Sequence, residues 1–357
     1  MIEMLLRGNY DGIELIHVRM DFSKEMNEMG RWKFSKVTSL ARIITDIYRQ
    51  KIKHGASVLY YPPSGPKFFP VVRDIAILLS TRWLFKKVIF HFHATGLSEF
   101  REQLAFPLRT LYDLAFMHPD ASIRLATSAP SEGATLATRT EYIVPNGIAD
   151  AAGTEMVRNH ATSGPVHILF VALLVEDKGI LVMIEAFCRL CTLGWNVRLT
   201  CMGKWDSPEL EQRAKEMLLE AGYTDRVDFP GVLTGDRKWE KYKEADIFCF
   251  PTFFHSETFP VVLLEAMCFS LPIVSTRWRG IPDVVEEGNN AVLVEIRNSQ
   301  ACADAISTLL SDNAQRNRMG KASRERFVEK FTAEAHWLAM QRVFSDVADC
   351  RLLLGEK

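Results

Sequence analysis

Short apolar runs recur along the chain, at 57–59, 88–93, 121–125, 141–144, 166–172, 197–202, 246–250 and 273–276. Most are closed by proline, glycine or small polar residues, and longer stretches with helical spacing lie between them, at 106–116, from 180, 260–269, 301–310 and 333–354. Apolar runs this continuous suit strands covered on both faces, and their alternation with helices predicts an α/β chain with parallel sheets. At the start, residues 1–12 read as the end of a helix and 13–18 as a strand.

The pattern is densest from Phe248 to Val285. Asp246-Ile247-Phe248-Cys249-Phe250 reads as a buried strand stopped by Pro251. A polar loop, His255-Ser256-Glu257-Thr258, hands over to Pro260 and a helix. Proline is favoured in a first helical turn, where its missing N–H would have had no partner. Ser270-Leu271-Pro272 ends that helix, and the next strand begins at Ile273. The loop thus lies at a strand's carboxyl end, where open α/β sheets bind ligands. Glu257 precedes the helix and Glu265 lies one to two turns inside it. The helix N-terminus, with unpaired N–H groups and partial positive charge, suits a diphosphate. Carboxylates beside and above that seat can grip the hydroxyls of two flanking sugars, the geometry a nucleotide-sugar requires.

For two isolated glutamates an ordinary amphipathic helix would be the better reading, but the whole run is more specific. It resembles the E-x7-E signature of the retaining GT-B glycosyltransferases of the group 1, glycogen-synthase-like family. Glu257-Thr258-Phe259 and Leu264-Glu265-Ala266-Met267 carry the resemblance, and Gly280-Ile281-Pro282-Asp283-Val284-Val285 continues it. The resemblance implies two Rossmann-like, doubly wound parallel-sheet domains facing a cleft. Their expected extents are 1–150 on the acceptor side, a linker at 151–164, a nucleotide-sugar domain at 165–332, and a helix at 333–357 returning to the first domain. The family's first strand and glycine-rich loop find no counterpart before residue 13, so the first domain is expected to lack them.

The resemblance also distributes roles. Glu265 takes the ribose hydroxyls and Glu257 the donor sugar. Lys178, in Glu176-Asp177-Lys178-Gly179, matches a family lysine that offsets charge on the departing diphosphate, with the helix N-terminus at Thr258, Phe259, Pro260 and Val261 assisting. The family's arginine nearby is replaced by Leu173. Gly203 and Lys204 form a tight turn near the donor, and the backbone at Val232 and Leu233 faces the nucleobase. His93, at the polar end of its strand, matches a residue that contacts donor sugar or acceptor; His91 shares its side and is the weaker candidate. Pro145-Asn146-Gly147 matches the crossing between domains.

The composition narrows the classes further. A length of 357 residues, 48% apolar and 24% charged, allows two cores, and a formal charge of −1 opposes a generally basic nucleic-acid binder. Seven cysteines without framework spacing point to reduced thiols and a cytoplasmic setting, Cys188 and Cys191 reading as small buried hydrophobes. No apolar run reaches the roughly 18–20 residues of a membrane span. Between residues 31 and 87, however, twelve Lys and Arg face only Asp46 and Asp74, interleaved with apolar residues as in Lys67-Phe68-Phe69 and Trp83-Leu84-Phe85-Lys86-Lys87. Such a region suits either a solvated helix face or peripheral contact with the inner face of the plasma membrane or a diphosphate-lipid acceptor.

GxGxxG, P-loop and D-x-D motifs are absent, which opposes a dinucleotide enzyme and the metal-dependent transferases; no metal or other cofactor is expected. The expected activity is transfer of a sugar from a UDP, GDP or ADP donor to a saccharide or polyprenyl-diphosphate-linked acceptor, with retention at the anomeric carbon, in polysaccharide or glycoconjugate assembly. The alternatives are a sugar-nucleotide epimerase or hydrolase of the same fold, and a non-catalytic scaffold.

Overall fold

A computed structural model describes residues 12–20, 34–128, 130–153 and 164–348. The chain divides into two units. One comprises the described residues up to Pro145 together with the chain from His336, and the other is Asn146–Ala335. The expected linker at 151–164 lies largely outside the described residues, as does the helix end expected at 1–12.

The first unit contains α1 (Phe34–His54), β1 (Val58–Tyr61), α2 (Phe68–Thr81), β2 (Lys87–Phe92), α3 (Leu97–Glu102), α4 (Phe106–Phe116), β3 (Ala121–Arg124), α5 (Glu132–Thr135) and β4 (Thr140–Ile143). Its strands pair in parallel in the order β1-β2-β3-β4. Period-two alternation along β2 feeds two cores. Val88, Phe90 and Phe92 join Ile43, Ile75, Tyr112 and Phe116 from α1, α2 and α4. Ile89 joins Ala121, Ile123 and Val144, which pack on Met340, Val343 and Phe344 of the helix Ala333–Val347. Burial on both faces explains why β2 is apolar almost throughout.

Two expectations change here. Residues 13–18 form no strand: among the described residues none pairs with them as a strand, and their apolar side chains divide between the two cores, Ile13 and Leu15 to one and Val18 to the other. The apolar run at 57–59 extends through Tyr60 and Tyr61, which complete β1, and the hydroxyl of the buried Tyr61 donates to Asp74 Oδ1 at 2.9 Å.

The second unit runs β5 (Val166–Val171), α6 (Ile180–Thr192), β6 (Val197–Met202), α7 (Pro208–Ala221), β7 (Val227–Gly231), α8 (Gly235–Glu244), β8 (Ile247–Phe250), α9 (Val261–Cys268), β9 (Ile273–Thr276), α10 (Ile281–Val284), β10 (Ala291–Val294), α11 (Ser299–Ser311) and α12 (Asn313–Lys330). Polar side chains cap several helices: Ser207, Asn298 and Asp312 accept from the backbone N–H three residues on. The sheet is parallel, ordered β10-β9-β8-β5-β6-β7. Its winding direction reverses between β5 and β8, the switch point of a doubly wound sheet. Helix α12 was not anticipated, because its sequence is charged nearly all round. It packs closely all the same: a Cβ on Gly320 would lie 2.4 Å from the Ser270 carbonyl oxygen. Among the described residues no helix is long and apolar enough to cross a membrane.

Candidate functional site

At the switch point two loops are laced together. After β5 the chain makes a turn at Glu176–Lys178, passes Gly179 and enters α6. After β8 it runs from Pro251 to Pro260 before α9. Phe253 N–H donates to the Asp177 carbonyl at 2.8 Å. Strand β9 and the residues just after it hold the end of β8 and the second loop from the other side: the Ser275, Thr276 and Trp278 side chains donate to the Phe250, Thr252 and Phe254 carbonyls at 2.7, 2.5 and 2.8 Å. This lacing lets residues 79 positions apart meet: Lys178 Nζ donates to Glu257 Oε2 at 2.6 Å. The Lys178 side chain is 19% exposed and that of Glu257 8%. The lysine ammonium also sits over the Phe254 ring, 4.3 Å from its centroid, a cation–π contact that strengthens as water is excluded. The Thr252 hydroxyl lies 3.2 Å from Glu257 Oε2 and 3.3 Å from the Asp177 carbonyl, so its single proton serves one acceptor at a time.

The second glutamate has its own partners. Glu265, buried in the second turn of α9, accepts from Lys238 Nζ on Oε1 at 2.5 Å and from the Tyr242 hydroxyl on Oε2 at 2.6 Å. Both donors come from α8, at the i, i+4 spacing that places side chains on one face. Burial pushes the Tyr242 phenol well above its ordinary range, and the Glu265 charge adds to this. Sequence reasoning missed Lys238 and Tyr242. The available signal was a large aromatic residue at the centre of an otherwise charged helix, Gly235-Asp236-Arg237-Lys238-Trp239-Glu240-Lys241-Tyr242.

The other expected donor contacts are spread around the same unit. Thr258 is buried, its hydroxyl donating to the Ser256 carbonyl at 3.3 Å. Phe259 packs edge-on against Phe331, with centroids 5.7 Å apart, and Pro260 caps α9 ahead of the exposed Val261. Gly203 has φ +152° and a Cβ there would lie 1.7 Å from the Ala172 carbonyl oxygen, so only glycine lets the ends of β5 and β6 approach. Lys204 is exposed and its carbonyl accepts from Leu174 N–H at 2.8 Å. Val232 is exposed and Leu233 buried; Leu173 is exposed.

His93 lies in the first unit, one residue past β2. Its ring sits against that of His91, with centroids 4.1 Å apart. His91 is fully buried, with Nδ1 2.6 Å from the Tyr60 hydroxyl. His336 Nδ1 lies 2.6 Å from the Pro145 carbonyl and therefore carries the proton. Burial lowers all three. His91 goes well below the usual histidine range, and His93 falls to about 4 with the charge of His336 contributing. Just beyond, the buried Glu132 carboxylate accepts from Gly96, Leu97 and Ser98 N–H at 2.5, 3.0 and 2.8 Å, and from the Ser98 hydroxyl. It fixes the loop that follows His93, and nothing in the local sequence signalled it.

The basic region is only partly available as a surface. Lys51 and Lys87 donate to backbone carbonyls at Ala56 and Val347, Arg82 donates to those of Ala115 and His118, and Arg73 pairs with Asp74. Lys67, Phe68, Phe69, Trp83 and Lys86 are exposed. Among the described residues no group of three or more His, Cys, Asp or Glu side chains is arranged to hold a metal ion.

Residues 154–326, just under half of the chain, match the family model described as glycosyl transferases group 1. A capsular polysaccharide biosynthesis glycosyltransferase of Staphylococcus aureus is 27% identical over 179 residues, covering 49% of this chain and 45% of the relative. A D-inositol 3-phosphate glycosyltransferase of Corynebacterium glutamicum is 32% identical over 163 residues, covering 44% and 38%. The chain therefore spans less than half the length of these curated relatives. Over longer spans it is similar to solved structures. A sucrose-phosphate synthase from Thermosynechococcus elongatus has a TM-score of 0.70 at 19% identity, covering 90% of this chain and 81% of that one. An Anabaena protein in complex with UDP has a TM-score of 0.67 at 16% identity, covering 87% and 82%. These likenesses show a GT-B fold.

Proposed function

We propose that this chain is a retaining glycosyltransferase of group 1 that moves a sugar from a nucleotide-sugar to a saccharide or lipid-linked acceptor in polysaccharide assembly. The observation that carries the reading is the Lys178–Glu257 pair, 2.6 Å apart at the switch point of the second sheet. It joins the cation a leaving diphosphate needs to the carboxylate a sugar hydroxyl needs. The match over residues 154–326 and the UDP and UDP-glucose complexes of the Anabaena neighbour support it.

In this reading Glu265 accepts from the ribose hydroxyls, and Glu257 exchanges part of its contact with Lys178 for a donor-sugar hydroxyl. Lys178 and the N–H groups at the start of α9 then face the diphosphate. Their contribution grows as negative charge collects on the departing phosphate, so it favours the transition state over the ground state. Transfer occurs on one face of the sugar, the departing phosphate taking the acceptor hydroxyl's proton. His93, neutral at pH 7, contacts the sugar or its acceptor. The reaction runs without a metal, since Lys178 supplies the positive charge. The chain works in the cytoplasm, with Lys67, Phe68, Phe69 and Trp83 touching the anionic inner face of the plasma membrane; co-sedimentation with anionic vesicles tests this.

Calorimetric titration with UDP, GDP and ADP tests the reading. Selective binding of one, weakened by about 1–3 kcal/mol in Glu265→Ala, supports it; failure of all three to bind overturns it. With the donor class known, turnover in EDTA and the anomeric configuration of the product by NMR test metal independence and retention.

A further inference from the structure

Glu265 is held on both oxygens, and the manner of holding bears on which sugar it accepts. Tyr242 is hemmed in on several sides: it is fully buried, with Phe248 stacked at 5.9 Å, Phe269 stacked at 5.7 Å and Trp239 at 6.0 Å. Its hydroxyl therefore defines one fixed point for Oε2. Burial keeps the phenol protonated, so it serves Glu265 as a donor. Lys238 defines the second point, on Oε1, with its ammonium 4.5 Å from the Trp239 ring centroid. A glutamate's terminal torsion is otherwise broad; donors on both oxygens remove that freedom. Each oxygen has two lone-pair positions, one of which is now used. The lysine also compensates the buried negative charge, so the carboxylate need not draw a cation from the ligand.

We infer that Lys238 and Tyr242 are positioning residues that present Glu265 as a two-point acceptor for a vicinal diol, and so set a preference for ribose over 2′-deoxyribose in the bound nucleotide. The inference rests on the reading of Glu265 as the ribose ligand. A fixed carboxylate with one acceptor site on each oxygen matches two neighbouring hydroxyls, whereas a rotating one accepts a single hydroxyl almost as well. Neither residue needs to touch the nucleotide.

The test measures binding of UDP, GDP and ADP and of their 2′-deoxy counterparts to the full chain and to Lys238→Met, Lys238→Arg, Tyr242→Phe and Glu265→Gln. Melting curves confirm that each variant folds. If Tyr242→Phe does not, Lys238→Met, at a partly exposed position, carries the experiment. The expected result is that the nucleotide bound by the parent shows a ribose preference that falls about tenfold in Lys238→Met and Tyr242→Phe. Affinity for the deoxy form should change by less than about threefold, and Lys238→Arg should restore part of the preference. If folded Lys238→Met and Tyr242→Phe keep the parental ratio while Glu265→Gln loses it, the inference is wrong and Glu265 remains the ribose ligand. If Glu265→Gln also keeps the ratio, or the parent binds none of the six nucleotides, the reading of Glu265 fails and the inference falls with it.

Discussion

Gly179 and Pro251 pass so closely that a Cβ on the glycine would lie 2.2 Å from the proline's carbonyl oxygen. Gly179 also has φ +86°, in the left-handed region, and it immediately follows Lys178. Gly179→Ala should therefore cost about 1–2 kcal/mol for the backbone conformation alone, and more for the overlap. Thermal unfolding should show a clear loss of stability, and under the proposed function transfer should slow because Lys178 is displaced. A variant as stable and as active as the parent would show that this approach is not needed.

Lys178→Met leaves the Glu257 carboxylate with the Thr252 hydroxyl but without its cation. Removing one partner of a part-buried pair should lower stability by about 1–3 kcal/mol. If Lys178 acts on the diphosphate as proposed, transfer should fall much more than affinity for the bare nucleoside. A double-mutant cycle with Glu257→Gln should return a coupling energy of about 0.5–3 kcal/mol in chemical denaturation. Additive effects would mean that the contact contributes nothing.

Glu132 offers a cleaner test of an internal carboxylate. Glu132→Gln keeps the shape but turns one acceptor into a donor against the N–H groups of residues 96–98. The expected destabilisation is about 1.5–3 kcal/mol, read from denaturant midpoints. A shift too small to measure would show that the loop after His93 is held by something else.

Acid should weaken the first unit before ordinary carboxylates titrate. His91, His93 and His336 are all held below the unfolded histidine value near 6.5 by burial, His93 at about 4. Below pH 6.5 the unfolded chain therefore binds protons that the folded chain does not, so stability falls as pH falls. Each histidine that stays neutral contributes a slope of up to about 1.4 kcal/mol per pH unit, which vanishes above about pH 7. Melting temperatures should decline between pH 6.5 and 5, and His93→Gln should make the decline shallower. A flat profile in that window would contradict the burial of these rings.

Legibility in the sequence followed burial. Strands β2, β5, β6, β8 and β9 announced themselves because they are largely covered on both faces and read as mostly apolar runs. Residues 13–18 look equally apolar, yet their side chains divide between two cores and no strand among the described residues pairs with them. Helix α12 was invisible for the opposite reason: it rests on the fold through Gly320, Arg316 and a few apolar residues rather than an apolar stripe.

The sequence by itself determined the alternation of strand and helix, the strand–loop–helix unit from β8 to α9, and the eight-residue spacing of Glu257 and Glu265. These are local properties, set by side-chain periodicity and turn chemistry. Only the tertiary structure decided what each glutamate touches. The switch point brings Lys178 to Glu257 from 79 positions away, and α8 brings Lys238 and Tyr242 to Glu265 from 27 and 23 positions away. Such pairings depend on which strands lie side by side, and no local periodicity encodes that order. Burial then converts proximity into chemistry, because a charge removed from water must find its partner within the fold.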